Sequence, residues 1–266
     1  MTEMQSPRAF FRKQKLQMTL IFGGLFLLIQ GASVLTDFSI IAALETIPRV
    51  VLWMVTNLFP DAEAVGRLPR ILDKLKDTIF MSIMATVSSS LFALVFALLG
   101  SRTTRPNQLF SVLSRAVASV NRNIPVAAWA MIFLISFGQS AFTGYLALFF
   151  ATFGFLTRAF METIDEASSK PVQALRAAGA DELQVIAQAV IPASLPQMLS
   201  WVLYMIETNI RSATLVGLLT GSGIGFMFSI YYKSLQYHSA ALVVLSIVVV
   251  VLFIEMVSNI LRRIIL

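Results

Sequence analysis

An all-α membrane protein with six transmembrane helices is the fold class this sequence predicts, and three observations predict it. Of 266 residues, 57% are hydrophobic and only 13% charged, whereas about a quarter of a soluble domain is charged. The mean hydropathy is +0.80, and several apolar runs reach the roughly 20 residues that a helix needs to cross a bilayer. Bases sit beside these runs, where the positive-inside rule predicts them. No Gly/Ser linker, low-complexity tract or internal repeat marks off a second unit, so one bundle is expected. It divides into residues 1–76, holding an N-terminal tail, a first span and an outer segment, and residues 77–266, the core.

The first span is read over Leu16 to Leu35. Its basic leader and the triplet Gly31-Ala32-Ser33 resemble a secretory signal, but an apolar run near 20 residues exceeds the usual 7–15 of a signal core. Phe38 to Phe59 is apolar enough to span yet carries Glu45, Pro48 and Arg49 near its centre. Each charge there costs about 2.5–3.5 kcal/mol on insertion scales. An amphipathic helix at the outer interface, with Glu45 and Arg49 able to pair one turn apart, is therefore expected.

The second span is Thr78 to Gly100. The third, Ile124 to Phe137, is short, and is expected to begin near Gln108 and kink at Pro125, which has no amide hydrogen to donate. Phe142 to Ile164, Leu195 to Leu219 and His238 to Leu261 complete the six. This count places Arg8, Arg12, Lys13, Lys15, Arg102, Arg105, Lys170, Arg176, Arg262 and Arg263 on the cytoplasmic side, with both termini inside. The outer segment Asp37 to Asp77 is balanced, with five bases against six acids. A seventh span would expel Arg102 and Arg105. Trp53, Tyr231, Tyr232 and Tyr237 suit an interfacial aromatic belt, with membrane lipid around the spans.

Composition also excludes. Without cysteine there are no thiolate metal sites, and the single histidine, His238, builds no metal site alone. The net charge of +6 sits beside hydrophobic spans, so it calls for no nucleic acid. No Gly-Lys-Ser/Thr follows a glycine-rich turn, so the chain holds no nucleotide-binding phosphate loop. Catalytic residues and a cofactor on this chain are not expected.

Pro171 to Pro192 is a polar, helix-prone block between membrane-grade runs. Ala, Leu, Arg, Glu and Gln favour helix, and Gly179 interrupts them, giving two short helices that meet at Gly179. Pro192 and Pro196 suit the first turn of the next span. Gln173, Ala174, Leu175, Arg176, Ala177, Ala178, Gly179 and Ala180, followed by Ile191-Pro192, resemble the cytoplasmic coupling loop of importer-type ABC permeases. Gln173, Leu175 and Ala189 depart from that family's usual Glu, Ala and Ile. Asn123-Ile124-Pro125 looks like a motif of methionine-importer permeases. Glu207 to Gly217 followed by Gly221-Ser-Gly223-Ile-Gly225 looks like the fifth-span signature of phosphonate importer permeases. The resemblance covers roughly Asn121 to Arg263. It implies a type I ABC importer permease fold, methionine-importer-like, working as a homodimer in the bacterial inner membrane. It also implies two ABC ATPase subunits carrying ATP and Mg, and an extracytoplasmic phosphonate-binding protein.

Within that expectation, the loop around residues 165–192 couples to the ATPase. Glu207, Asn209, Arg211, Ser212, Thr214 and Asn123 are candidates for the translocation pathway, because ionisable groups at membrane depth normally face a bundle interior or a watery cavity. Arg211 either attracts an oxyanion or is neutralised by Glu207 one turn away, and both readings stand. Arg122 either lines the path or snorkels to headgroups. Gly221, Gly223 and Gly225 are expected in an outer loop or gate. Phosphite, hypophosphite and phosphate esters remain alternative substrates, and an ion-coupled secondary transporter is the rival class.

Overall fold

The computed structural model describes residues 7–36, 38–167 and 169–265. Asp37 and the side chain of Arg8, both counted in the charge pattern above, lie outside the described residues. The chain separates into two compact units, 1–57 and 58–266, so residues 58–76 fall in the second.

The first unit holds α1 (Pro7–Leu35) and α2 (Ile40–Asn57). Along α1 the large side chains of Leu20, Phe22, Phe26, Leu27 and Leu28 are exposed. α1 is long and apolar enough to cross a membrane. In α2 Pro48 sits inside the helix, and among the described residues Glu45 and Arg49 form no ion pair.

The second unit begins with α3 (Ala62–Gly66), capped by Asp61, whose side chain accepts from Ala64 N. It continues through α4 (Leu68–Gly100), α5 (Gln108–Asn123), α6 (Val126–Phe137), α7 (Ala141–Ala167), α8 (Ser169–Ala177) and α9 (Glu182–Val185). A π-helical turn (Ile186–Val190) leads into α10 (Ile191–Thr220), which is followed by α11 (Gly223–Lys233) and α12 (Tyr237–Ile265). Among the described residues five helical stretches are long and apolar enough to cross a membrane, or six if α5 and α6 count as one broken span.

The bundle carries large apolar side chains on its surface as well as in its core. On α4 the buried stripe is Ser82, Ala85, Ser89, Ala93, Ala97 and Gly100, while Phe80, Met84, Leu91 and Phe92 are exposed. Small residues let backbones approach closely where lipid offers no hydrophobic drive between helices. Here they admit α7, which packs along α4. Ser89 donates to Phe149 O across that seam at 2.9 Å. Phe96 meets Phe153 edge-on with ring centroids 5.1 Å apart.

Two expectations about element boundaries change. The third span is not merely kinked: α5 and α6 meet at 92°. Ile124 is extended there and Pro125 cannot continue the ladder. The fifth span does not begin afresh near Leu195. The helical path runs from Glu182 to Thr220 with only a π turn between, and Pro196 sits inside α10, past its first turn. The π turn ends two residues before Pro192, which has no N–H to offer the preceding turn.

Candidate functional site: a coupling loop and a buried charge cluster

The polar block folds as expected into two short helices, and the glycine between them has a conformational reason. Gly179 has φ +84°. Its N–H donates to Arg176 O and Ala180 N donates to Leu175 O, closing α8 in a left-handed cap. Asp181 then starts α9 with a reciprocal capping box, its carboxylate accepting from Gln184 N at 2.7 Å and the Gln184 side chain accepting from Asp181 N at 3.1 Å.

One face of this pair is anchored and the other is free. Val172, Val185, Ala189 and Val190 are buried in a cluster with Phe153, Phe160 and Ile164 of α7 and Met198 and Met205 of α10. Gln173, Ala174, Arg176, Ala177, Ala178 and Gly179 are exposed, with Leu175 and Ala180 half-buried beneath them. Leu183 stands 77% exposed at the start of α9. Arg176 Nη2 donates to Thr103 O at 3.1 Å and pairs with Glu182 at 2.9 Å. Thr103 N and Oγ1 both donate to Asp165 Oδ1, at 3.2 and 3.1 Å, and Ser101 Oγ donates to the same oxygen at 2.5 Å. A rigid block results, joining the α4–α5 connection, the end of α7 and both short helices.

At mid-length on α10, Glu207 is buried, its side chain 8% exposed. Arg211 Nη2 lies 3.0 Å from one carboxylate oxygen and Arg262 Nη2 lies 3.0 Å from the other. Arg262 also donates to Ser258 Oγ at 2.9 Å. A single carboxylate thus neutralises only one of two guanidinium groups, and the more exposed of these, Arg211, is 47% exposed. Arg262, read from sequence as an inner-flank base, is here a partner of the buried acid.

Asn209 turns the other way. It is 3% exposed, and its Nδ2 donates to Thr86 Oγ1 of α4 at 2.8 Å and Thr152 Oγ1 of α7 at 2.7 Å. Three helices are tied through that amide, so within this chain Asn209 acts as interior glue. Ser212 and Thr214 are half-buried. Asn123 is exposed and donates to Ser119 O at 2.8 Å, in a cavity that does not include Glu207.

Gly221, Gly223 and Gly225 form a helix reversal, with little loop to speak of. Gly221 caps α10 in the left-handed conformation, and Ser222 N donates to Gly217 O at 3.0 Å. Gly223 already begins α11, whose Ile224 N donates to Thr78 Oγ1 at 2.9 Å. At Gly225 a Cβ would stand 1.9 Å from Thr214 O, so the backbones of α10 and α11 are in contact there. Tyr231, expected in an interfacial aromatic belt, is buried beneath the Arg67 guanidinium, 5.3 Å from ring centre. His238 Nδ1 contacts Phe59 O at 2.6 Å.

Residues 90–266 match the family described as the binding-protein-dependent transport system inner membrane component. The chain belongs to that family. The phosphite transport system permease protein of Stutzerimonas stutzeri is 34% identical over 70% of this chain and 68% of its own length. The phosphate-import permease protein of Mycolicibacterium smegmatis is 27% identical over 71% of this chain and 36% of its own, longer, length. The fold matches an inward-facing structure of the MetNI methionine ABC transporter with a TM-score of 0.61 at 17% identity, over 74% of this chain and 98% of that one. The permease family and the importer fold expected from the motifs are therefore met.

Sequence reasoning missed Arg262, Asp165, Glu182 and Leu183. The Glu207–Arg262 contact bridges 55 residues, a separation at which no spacing rule operates. The Asp181–Gln184 capping box was legible as an acid followed three residues later by Gln, and it locates the start of α9.

Proposed function

We propose that this chain is the permease subunit of an ATP-driven ABC importer for tetrahedral phosphorus oxyanions, with phosphonate, phosphite and phosphate as the substrate class. It acts as a homodimer over two ATPase subunits that carry ATP and Mg, with both termini cytoplasmic, and receives substrate from an extracytoplasmic binding protein. The observation that carries the reading is the Glu207 cluster: two guanidinium groups share one buried carboxylate, so a net positive charge remains on the half-exposed Arg211 side. A guanidinium presents paired N–H donors to two oxygens of an oxyanion at once. The names of the two relatives, one for phosphite and one for phosphate, support the same chemistry.

In this mechanism the exposed face of α8 and α9 sits in a groove of the ATPase, and Val172 and Val185 transmit its motion into α7 and α10. The bundle rocks between inward and outward openings. Arg211 exchanges Glu207 for substrate oxygen during passage, while Arg262 holds the carboxylate in place. The binding protein supplies most of the selectivity.

Proteoliposomes containing the chain, its ATPase and its binding protein test this directly. ATP-dependent accumulation of methylphosphonate, phosphite or phosphate is expected, and no uptake of any of the three alongside a firmly bound ATPase would discard the substrate class. An ATPase that never co-purifies would discard the importer.

A further inference from the structure

We propose that the cavity between α5 and α7 is a second oxyanion site, built for one tetrahedral phosphorus oxyanion, free in water or carried as a phospholipid headgroup. The cavity measures about 200 Å³, below the roughly 300–1,000 Å³ typical for drug-sized ligands. One small anion is the right scale for it. Arg115, Ser119 and Arg122 fall at i, i+4 and i+7 on one flank of α5, Asn123 follows, and α7 contributes Arg158 and Glu162.

The two helices are drawn together at one point. A Cβ on Gly154 would stand 2.5 Å from Arg122 N and 2.7 Å from Asn121 Cβ, so only glycine allows this contact. Arg158 follows one turn later and is thereby brought beside Arg122.

The charges in the cavity do not balance. Arg115 is partly committed, donating from Nε to Gly100 O at 3.1 Å with Nη2 4.0 Å from Asp165. Arg158 spends Nε on Glu162 at 2.6 Å, which leaves its two terminal nitrogens to the cavity. Arg122 makes no ion pair or hydrogen bond among the described residues. Three guanidinium groups thus converge against two carboxylates, Glu162 beside Arg158 and Asp165 beside Arg115, and one positive charge, that of Arg122, is left over. Arg122, Ser119 and Glu162 are exposed, so the cavity opens to solvent and a small anion can enter to offset the excess positive charge. Guanidinium forks match tetrahedral oxyanions, and the Ser119 hydroxyl adds a donor. The neighbouring outer face of α5 exposes Leu109, Leu113 and Val120, which suits acyl chains if a headgroup is the occupant.

This site shares no residue with the Glu207 cluster and does not depend on the transport reading. The test uses the purified full chain in phosphatidylcholine nanodiscs. Two probes are applied to wild type, Arg122→Gln, Arg158→Gln and Arg122→Lys: radiolabelled inorganic phosphate, and phosphatidylglycerol retained through detergent exchange and read by native mass spectrometry. Each Gln variant is expected to weaken one probe at least tenfold. Arg122→Lys should fall between, since it keeps the charge and loses the fork. Unchanged melting temperatures across the set separate loss of the site from loss of the fold. Loss of phosphate alone assigns the site to a free ion, and loss of lipid alone assigns it to a headgroup. Binding of neither probe by wild type, or binding undiminished in both Gln variants, overturns the proposal. Arg211→Ala serves as the reference: if it abolishes phosphate binding and the Gln variants do not, this site falls and the transport reading stands. Arg122-dependent binding in a chain that imports none of the three oxyanions gives the reverse.

Discussion

Arg211 and Arg262 touch the same carboxylate from different helices, and their exposure separates their roles. Arg211 is 47% exposed and Arg262 24%, so in the proposed mechanism substrate oxygen meets the first while the second stays behind the acid. Arg211→Ala is expected to abolish oxyanion uptake and leave ATPase co-purification intact; uptake at the wild-type rate would remove Arg211 from the path. Arg262→Ala leaves half of a buried carboxylate without its partner. Breaking a buried pair from one side costs about 3–5 kcal/mol in soluble interiors, so this variant should lose folded yield and melting temperature before it loses specificity. Asn209→Ala separates structural from functional polarity on the same helix. Hydrogen bonds between membrane helices average about 0.6 kcal/mol, so losing the contacts to Thr86 and Thr152 should cost about 1 kcal/mol in detergent unfolding, with uptake per folded molecule preserved. Sequence placed Glu207, Asn209 and Arg211 together as polar residues at membrane depth, and left two readings open for Arg211, an oxyanion contact or neutralisation by Glu207 one turn away; the structure shows the ion pair. It had no means to tell which way Asn209 points, because that depends on the hydroxyls of Thr86 and Thr152, which are remote in the chain.

At the scale of elements, the polar loop of α8 and α9 was the most legible part of the molecule. Helix formers, one glycine and a proline fix two short helices and a positive-φ junction by local rules alone. The anchoring of that loop was not legible, because Asp165 and Thr103 join it from other segments. Gly179 illustrates how the two differ. No atom lies within 4 Å of a Cβ built there, so a substitution meets no clash. Its cost comes from φ +84°, about 1–2 kcal/mol for an ordinary residue in the left-handed region. Gly179→Val should therefore fold and insert normally while the angle between α8 and α9 changes. We expect loss of ATPase stimulation with the permease still in the membrane. Leu183→Asp reaches the same interface by another route, placing a charge where a 77% exposed leucine offers an apolar knob. It should release the ATPase on co-purification at unchanged thermal stability, and retained ATPase would show that α9 stays outside the groove. The third span shows the opposite limit of sequence reading. Pro125 announces a break, but the 92° angle follows from how α6 packs on α7 and α10, through Trp129 stacked on Phe150 and Ala130 buried beside Ala147 and Ala213.

For the whole molecule, the position of Arg211 argues for a second copy. Tyr204, Arg211, Leu215 and Leu218 form one exposed stripe along α10. A half-exposed arginine in mid-helix facing hydrocarbon would cost several kcal/mol, so this stripe must face water or protein once the chain is in a bilayer. The outward face of α4, with Phe80, Met84 and Leu91 exposed and no charge among them, has no such requirement and is free to meet lipid. The natural chain has no cysteine, which makes single-cysteine probes unambiguous. Leu215→Cys, 51% exposed in the parent residue, should either cross-link to a second copy or react with a membrane-impermeant maleimide, and the balance between these should shift when ATP is supplied to the assembled transporter. Leu91→Cys, on a more exposed leucine, should do neither, because lipid excludes both the reagent and the second copy. The comparison is informative because exposure in the isolated chain would predict the reverse order of reactivity. Equal silence at both positions would put Arg211 against lipid, and the homodimeric pore together with the oxyanion role of Arg211 would fall with it.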